Sequence, residues 1–400
     1  VKGLPMGTKP LSGVRVLDLT NVLSGPYCCY QLSLMGAEVI KVERPGSGDL
    51  ARQLGADPTL SARNMGISFL AQNAGKKSVT LNLKHPEGTK ILKQLAAASD
   101  VLVENFRPGV MARLGLGYGD LKPTCPELIY CAISGFGQDG QMADDPAYDQ
   151  IIQGISGLMS ITGDQSSAPL RVGYPLADTV GGMTAAFAIA AALNAAPRGT
   201  FLDISMTEAV LSGMGWVVSD YLIGGKLPEP HGNENVTSAP SGSFEAKDQK
   251  INIAANKDQQ WRALARHLGL EGLIEQAAYR TREQRKANRI QLKTALEAVL
   301  KTRPAADWAH ELSGLGVPCA VIQSVPEALH SGQITGRQLT QTHQAADQSI
   351  DTVAAPVVVD GDRPKALQPP PELGQDNHAV YAQLGYDTAA LLALADQKVI

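Results

Sequence analysis

The order of apolar and polar positions in the first half of the chain predicts alternating strands and helices. Short runs rich in branched residues, typical of buried strands, lie at 14–19, 37–43, 77–83, 100–106, 127–137 and 201–206. Helical stretches at 27–36 and 85–99 separate some of them, the first ending at Gly36. A strand, a crossover helix and a second strand form the unit of a parallel sheet, so the pattern predicts an α/β fold with a large Rossmann-like domain.

After a helical stretch at 207–222, the pattern changes and predicts a smaller α+β domain. The polar stretch 226–250 is rich in Pro, Gly and Ser, and we interpret its start as a domain linker. A strand at 251–255, several amphipathic helices within 257–315 and a strand at 317–322 follow.

The last part of the chain predicts a return to the large domain. TVAAPVVV (352–359) has the composition of a buried strand, and a last helix is expected at 377–397. A single strand and helix need a sheet to cover them, and the large domain is the obvious host. We therefore expect a large domain discontinuous in sequence, comprising 1–222 and 327–400, with the small domain at 226–326.

Composition and charge exclude several functional classes. The 400 residues carry a net charge of −4 and no basic block, which argues against nucleic acid and anionic membranes as partners. No apolar run is long enough to span a membrane, and residues 1–13 lack the apolar core of a signal peptide. Five cysteines form no C-x-x-C pair and no zinc spacing, so we expect reduced thiols, a cytoplasmic location and no metal site.

The first turn of the predicted sheet argues against a dinucleotide. It reads TNVLSGP (20–26) and lacks the G-x-G-x-x-G sequence that holds a pyrophosphate at a helix start. Glu43 does end the second strand, where a ribose-binding acid would lie, but without the glycines that signal is weak.

Several long segments occur in a consistent order and carry a resemblance to a known family. They are 11–52, KKSVTLNLKHPEG (76–88), ENFRPGVMARLGLGY (104–118), 146–163, PLRVGYPLADTVGGMTAAFAIAAAL (169–193), 316–329 and PELGQDN (371–377). Together they resemble the family III CoA-transferases, which include the formyl-CoA:oxalate and carnitine CoA-transferases. The resemblance covers residues 11–390 and implies transfer of coenzyme A (CoA) from an acyl-CoA to a free carboxylic acid.

The resemblance implies that Asp178, in PLADTVGG, is the catalytic carboxylate. The local sequence predicts a helix that begins just after Asp178, whose positive end would favour the ionised, nucleophilic form. Gly181 and Gly182 would leave room for a bulky thioester. The alternative is a helix-capping aspartate, which is a common role for this residue type.

The family mechanism implies a mixed anhydride on Asp178 and then an aspartyl-CoA thioester. Neither stage requires a metal or a redox cofactor, so we expect no tightly bound cofactor, with CoA acting as a substrate. Exclusion of water is required while the anhydride exists.

The resemblance also implies a CoA site. Arg44, Lys84 and Arg113 match positions that meet the nucleotide and its phosphates, and Asn105 and Phe106 would flank the adenine. CoA carries several phosphate charges that Arg or Lys must offset. Without the family, a solvated surface charge is the alternative for each basic residue.

Four further residues are expected to line the substrate site. Leu23 stands where formyl-CoA:oxalate transferases have a glutamine, which argues against formyl-CoA and oxalate as substrates. Tyr148 and Asp149 resemble the pair that adjoins the catalytic aspartate, although Tyr148 could instead be a packed aromatic. Gly232 lies in a short version of a segment that closes over the intermediate in some transferases.

Two other functions remain open from the sequence. One is an α-methylacyl-CoA racemase, whose branch of the family has a histidine where Tyr148 stands; a tyrosine with a pKa near ~10 suits that chemistry poorly. The other is a catalytically silent CoA-binding relative, against which the intact PLADTVGG argues. The resemblance further implies a homodimer of interlocked chains, and family analogy favours a small dicarboxylic acid as acceptor.

Overall fold

The computed structural model describes residues 9–345 and 348–400. Residues 1–8, the first part of the segment from which we expected no signal peptide, lie outside the described residues. The strands are β1 (Arg15–Asp18), β2 (Glu38–Glu43), β3 (Lys77–Thr80), β4 (Val101–Glu104), β5 (Ile129–Ser134), β6 (Phe201–Ser205), β7 (Ser241–Glu245), β8 (Lys250–Ala254), β9 (Cys319–Val321), β10 (Thr340–Gln344) and β11 (Ser349–Val353).

Helices connect these strands and cover them. They are α1 (Ser24–Leu34), α2 (Pro58–Ala62), α3 (Ile67–Asn73), α4 (Pro86–Ala97), α5 (Val110–Arg113), α6 (Tyr118–Leu121), α7 (Asp149–Ile155), α8 (Leu176–Ala192), α9 (Met206–Gly213), α10 (Gly215–Gly224), α11 (Asp258–His267), α12 (Arg282–Ala287), α13 (Arg289–Leu300), α14 (Ala305–Gly314), α15 (Val325–His330), α16 (Gly332–Gly336), α17 (Asn377–Ala382) and α18 (Thr388–Asp396). None of the described helices is both long and apolar enough to cross a membrane.

The chain divides into two compact units. Unit 1 comprises the described residues up to Leu158, Arg171–Lys226 and Thr335–Ile400, whereas unit 2 comprises Met159–Leu170 and Leu227–Ile334. Unit 1 is therefore assembled from three separate stretches of sequence.

A six-stranded parallel sheet organises unit 1. Its order is β3-β2-β1-β4-β5-β6, so the strand order reverses between β1 and β4. Ligands of doubly wound sheets bind outside the carboxyl ends of the strands at such a reversal. The predicted α/β fold with a Rossmann-like parallel sheet is confirmed.

Both faces of this sheet are buried, which explains why its strands are apolar along their whole length. Leu17 and Ile40 point into one apolar cluster, and Val16 and Val39 point into the other. Leu391 and Leu394 of the last helix belong to the first cluster, while Leu392 is 64% exposed.

The segment 371–377 covers the open edge of the sheet at β3. Asp376 accepts a hydrogen bond from the Ser78 amide and donates its own amide to the Ser78 carbonyl, at 2.8 and 2.9 Å. Asn377 accepts from the Thr80 amide at 2.8 Å. These bonds satisfy backbone groups that an exposed edge strand would leave unpaired.

Several expected elements differ from the structure. TVAAPVVV is not a strand of the large sheet: its first two residues end β11, which among the described strands pairs with β10 alone, in an antiparallel hairpin. The Pro at 356 cannot donate a ladder hydrogen bond, so the strand ends before it. The helix expected at 207–222 divides at Met214 into α9 and α10, and the last helix divides into α17 and α18 around Gly385, whose φ of +90° breaks the helix.

Unit 2 is built on a small antiparallel sheet in the order β7-β8-β9. Strand β7 lies near the end of the polar stretch 226–250, for which the sequence predicted no strand. Trp261, Leu264, Leu296 and Trp308 of the surrounding helices form its core. The fully buried Arg285 donates to the carbonyls of two loop residues and to Asp258, so its charge is fully partnered.

Candidate active site

Two adjoining cavities lie at the carboxyl ends of the strands of unit 1. The smaller, about 350 Å³, contains Asp178. The larger, about 850 Å³, contains Arg44 and Lys84. Asn21, Leu50 and Phe106 line both, so the two cavities share a wall where the strand order reverses. We call them the aspartate cavity and the basic cavity.

Asp178 lies in the first turn of α8. The helix begins at Leu176, so the expectation that it begins after Asp178 is wrong. Pro175 precedes it and offers no capping side chain. Asp149 supplies the cap from another segment, since its Oδ1 accepts from the amides of Ala177 at 2.8 Å and Asp178 at 3.4 Å. Asp178 is therefore not the capping residue.

The pKa of Asp178 is raised to about 7, chiefly by burial and secondly by the negative charge of Asp149. The expectation that the surroundings of Asp178 favour its ionised form is wrong in its net direction, because burial and the charge of Asp149 both favour the protonated form. A carboxyl group poised near pH 7 is typical of a functional site, and its conjugate base is more nucleophilic than an ordinary carboxylate.

Gly181 and Gly182 allow α8 to pack against its neighbours. A Cβ at Gly182 would lie 2.3 Å from the carbonyl oxygen of Ser24, and one at Gly181 would lie 2.8 Å from Met206 Cγ. The two glycines do not line the aspartate cavity. Close approach of α1 and α8, rather than room for a thioester, explains their presence.

The loop between β1 and α1 forms one wall of the aspartate cavity. Val22 has a φ of +67°, in the left-handed region of backbone conformation. Among the described residues it is the one β-branched residue with a positive φ. Such a conformation costs roughly 1–3 kcal/mol. Its amide donates to Asp49 Oδ1 at 2.9 Å, and Asn105 bonds both the amide and the carbonyl of Asn21 at 2.8 Å.

Buried ion pairs also hold the loop between β1 and α1. Lys41 pairs with Asp49 at 2.9 Å and donates to the Thr20 carbonyl at 2.7 Å. Lys76 pairs with Asp18 at 2.9 Å and donates to a carbonyl of α1. Burial alone would lower the pKa of Lys41, but the carboxylates of Asp18 and Asp49 outweigh it and raise that pKa.

An arginine–glutamate pair anchors the next loop. Arg52 holds Glu43 through two hydrogen bonds of 2.7 and 2.8 Å, and both side chains are buried. Glu43 also accepts from the Asp49 amide at 3.0 Å. Glu43, at the end of the second strand, thus binds Arg52 and the Asp49 amide. This structural role explains the acid at that position without a bound ribose.

The predicted substrate-lining residues are distributed over both units. Leu23 and Tyr148 line the aspartate cavity, and Tyr148 is 72% exposed. Asp149 is buried behind it as the helix cap. Gly232 belongs to unit 2, where its φ is +58° and its amide donates to the Gly163 carbonyl at 2.6 Å.

The predicted nucleotide-binding residues meet in part. Arg44, Lys84 and Phe106 line the basic cavity. Asn105 lines the aspartate cavity and holds Asn21. Arg113 lines neither cavity, and its guanidinium lies against Gly109.

Comparisons with known proteins identify the family. The sequence model described as "CoA-transferase family III" matches residues 11–377. The chain belongs to this family. It is 37% identical to succinyl-CoA:glutarate CoA-transferase of Mus musculus, covering 98% of this chain and 90% of that protein. It is 38% identical to acetyl-CoA:oxalate CoA-transferase of Acetobacter aceti, over 82% and 85% of the respective chains.

A solved structure agrees with this assignment. The crystal structure of a CAIB/BAIF family protein from Brucella suis superimposes with a TM-score of 0.83 at 31% identity, covering 94% of this chain and all of that one. The predicted membership in the CoA-transferases, and with it the enzyme class, is confirmed.

The sequence reasoning on this CoA-transferase missed three features of the site. Arg107 and Ser24 line the aspartate cavity, although both lie within the matched segments and neither was singled out. Asp49 was missed because its role depends on a contact with Val22, 27 residues away. The charged GDLAR sequence was a signal for Asp49, but a surface aspartate looks the same in sequence.

We predict that Asp178→Asn makes this transferase more stable at pH 8. Between about pH 4 and 7 the unfolded chain loses the Asp178 proton while the folded chain retains it, so folding is penalised as pH rises. The rise of the Asp178 pKa to about 7 limits the gain in the free energy of unfolding to ~4 kcal/mol. Because Asp178 is partly exposed, we expect a gain of ~2 kcal/mol. Urea unfolding at pH 4, 6 and 8 should show no gain at pH 4.

Asp164→Asn is the control of opposite sign. Hydrogen bonds from Ser166 and Ser167 lower the pKa of Asp164 to about 2, so this variant should lose stability at pH 8 and recover relative to wild type at low pH. Equal stability of wild type and Asp178→Asn at pH 8 would show that the pKa of Asp178 is ordinary.

Proposed function

We propose that this family III CoA-transferase moves CoA from an acyl-CoA to a carboxylic acid through covalent intermediates on Asp178. The observation that supports the proposal is a carboxyl group with a pKa near 7 in a cavity that adjoins a second, basic cavity. The matched PLADTVGG segment contributes the same residue independently.

The proposed chemistry begins with attack of the Asp178 carboxylate on the thioester carbonyl, which releases CoA thiolate and leaves a mixed anhydride. The thiolate then attacks the Asp178 carboxyl carbon, forming an aspartyl-CoA thioester and releasing the donor acid. The acceptor carboxylate attacks that thioester, expels the thiolate and forms a second mixed anhydride. The thiolate then attacks the acceptor's acyl carbon, which gives the new acyl-CoA and frees the Asp178 carboxylate. Each stage conserves the activation that hydrolysis would lose.

Three helix N-termini at the aspartate cavity support anionic chemistry. Helix α1 begins at Ser24, α7 is preceded by Tyr148, and Asp178 lies in the first turn of α8; all three residues line this cavity. Helix N-termini stabilise negative charge through the helix dipole and through free amides, although in α8 the amides of Ala177 and Asp178 are already bonded to Asp149. Carboxylates, thiolate and tetrahedral oxyanions would all benefit.

We propose that the basic cavity holds the nucleotide part of CoA. Arg44 and Lys84 would offset phosphate charge, and Phe106 would contact the adenine. Asn105 supports this arrangement by fixing the shared wall. We propose Arg113 as a peripheral phosphate contact, because it lies one helical turn after Gly109 and close in sequence to Val110, which lines the basic cavity.

A dicarboxylic acid is the proposed acceptor. The relatives named for glutarate and oxalate act on dicarboxylates, and Arg107 offers a partner for a second carboxylate. Arg107 is exposed, lines the aspartate cavity, and has no ion pair among the described residues. A guanidinium binds a carboxylate through two parallel hydrogen bonds, which suits this role. Leu23 and Tyr148 would contact the intervening carbons, and Gly232 stays a predicted part of a closing segment.

We predict that Asp178→Asn and Asp178→Ala abolish transfer without abolishing CoA binding. Wild type mixed with acyl-CoA and hydroxylamine should carry a hydroxamate on Asp178, detected by peptide mass spectrometry. The exposed Asp139→Asn should transfer at the wild-type rate. Full activity of Asp178→Asn, with its asparagine verified, would overturn the mechanism.

Two further assays use the wild-type enzyme. A panel of acids identifies the acceptor, and deuterium uptake by a 2-methylacyl-CoA would indicate racemisation instead of transfer.

We predict that Arg107→Ala raises the KM for succinate or glutarate roughly tenfold or more. A charged hydrogen bond contributes ~1.5–3 kcal/mol, which corresponds to that change. The KM for a monocarboxylate of the same length should change little. Arg44→Ala is the matched control, since it should raise the KM for acyl-CoA and spare that for the acid. Equal losses with mono- and dicarboxylates would exclude Arg107 as the anchor of the second carboxylate.

We also propose a homodimer, with interlocked chains as the resemblance implies. Helices of unit 1 expose large apolar side chains: Phe187 on α8 is 76% exposed, and Trp216 and Ile223 on α10 are 86% and 88% exposed. A monomer rarely leaves so many such groups in water.

We predict that dilution does not release a folded monomer, because separating interlocked chains requires unfolding. Light scattering and circular dichroism on one dilution series measure mass and folding together. A compact, fully folded species of 42.2 kDa would contradict the interlocked dimer.

A further inference from the structure

The hydroxyl of Ser24 is buried without a partner. Ser24 is 3% exposed, and among the described residues its Oγ has no hydrogen-bond partner. It nevertheless lines the aspartate cavity. A buried hydroxyl is normally hydrogen-bonded, because leaving it unpaired costs free energy. Its placement here points to a partner that comes within reach only during the reaction.

Ser24 lies beside the face of α8 that carries Asp178. Its Oγ is 3.4 Å from the position that a Cβ on Gly181 would occupy. Asp178 and Gly181 are three residues apart in the same helix, so they share one face. The absent side chain at Gly181 therefore leaves the Ser24 hydroxyl next to the first turn from which Asp178 projects.

The backbone around Ser24 is fixed on both sides. Two residues before Ser24, the amide of Val22 donates a hydrogen bond to Asp49, and the backbone of Val22 is in the left-handed conformation. A Cβ on Gly182 would lie 2.3 Å from the Ser24 carbonyl oxygen, so the backbones of α1 and α8 are in close contact. Ser24 is also the first residue of α1, which places the positive end of that helix at the cavity.

We propose that the Ser24 hydroxyl donates a hydrogen bond to the carboxyl oxygen of Asp178 while that group is being attacked. When CoA thiolate adds to the anhydride, a C–S bond forms at the Asp178 carboxyl carbon and the negative charge moves to its oxygen. The bond to the bridging oxygen then breaks, and the donor acid leaves as a carboxylate. The acceptor carboxylate attacks the same carbon of the aspartyl-CoA thioester, and the thiolate leaves.

The hydroxyl acts on the steps in which Asp178 is the electrophile. In those two steps the negative charge develops on the oxygen next to Ser24, and a preorganised donor stabilises it. In the first step Asp178 is the nucleophile, and the same hydrogen bond gives no acceleration. Ser24 is thus a catalytic residue distinct from Asp178, and this inference rests on the proposed covalent mechanism.

The test uses Ser24→Ala, with Ser33→Ala as the control. Ser33 is buried in the same helix but does not line the cavity. Because the Ser24 hydroxyl has no hydrogen-bond partner in the described part of the chain, Ser24→Ala should unfold at the same or a higher urea concentration than wild type. We expect kcat to fall by roughly 10²-fold, the cost of losing one such donor, with the KM for acyl-CoA nearly unchanged. Ser33→Ala should keep the wild-type kcat.

The covalent intermediates separate this role from a packing role. Ser24→Ala, quenched during turnover, should carry more aspartyl-CoA thioester or anhydride on Asp178 than wild type, because their breakdown is slowed. A kcat within twofold of wild type, or a fall in kcat without accumulation of either adduct, would overturn the proposal. Absence of any Asp178 adduct in wild type would instead overturn the covalent mechanism itself, so the two failures are distinguishable.

Discussion

A set of buried ion pairs beneath the loop between β1 and α1 is the constraint on which the site depends. Two ion pairs are fully buried there: Lys41 with Asp49 and Lys76 with Asp18, each with a nitrogen–oxygen distance of 2.9 Å. Breaking one pair would leave an uncompensated charge in the interior, which costs ~3–5 kcal/mol. The pairs hold the backbone at Thr20, Val22 and Pro26, and the loop cannot relax without losing them.

The same constraint bears on the surroundings of Asp178, and so on its pKa. The rigid loop brings the start of α1 against α8, and Asp149 caps α8 from a third helix. Asp149 thereby stabilises the helix while its charge raises the pKa of Asp178. Asp149 thus stabilises the helix and at the same time disfavours ionisation of Asp178, and a carboxyl group with such a raised pKa is typical of a functional site.

The sequence predicted the six parallel strands well, because strands buried on both faces appear as apolar runs. It predicted the start of α8 less well, since Asp178 looks like a cap and the true cap, Asp149, lies 29 residues earlier. TVAAPVVV misled for a related reason: branched residues indicate a strand but not its partner, and Pro356 ends it early. Arg113 matched a family position, yet the short helix α5 leaves it outside both cavities.

The edge of the sheet at β3 has a consequence for biosynthesis. The groups that pair with Ser78 and Thr80 come from Asp376 and Asn377, almost 300 positions later in the sequence. A nascent chain therefore exposes the edge of β3, and part of an apolar face beside it, until residues 371–377 have left the ribosome. Most of unit 2 is contiguous and can fold first. Completion of unit 1 therefore waits for the segment 371–377, and until it arrives the unpaired edge of β3 is a site at which strands of other chains can add.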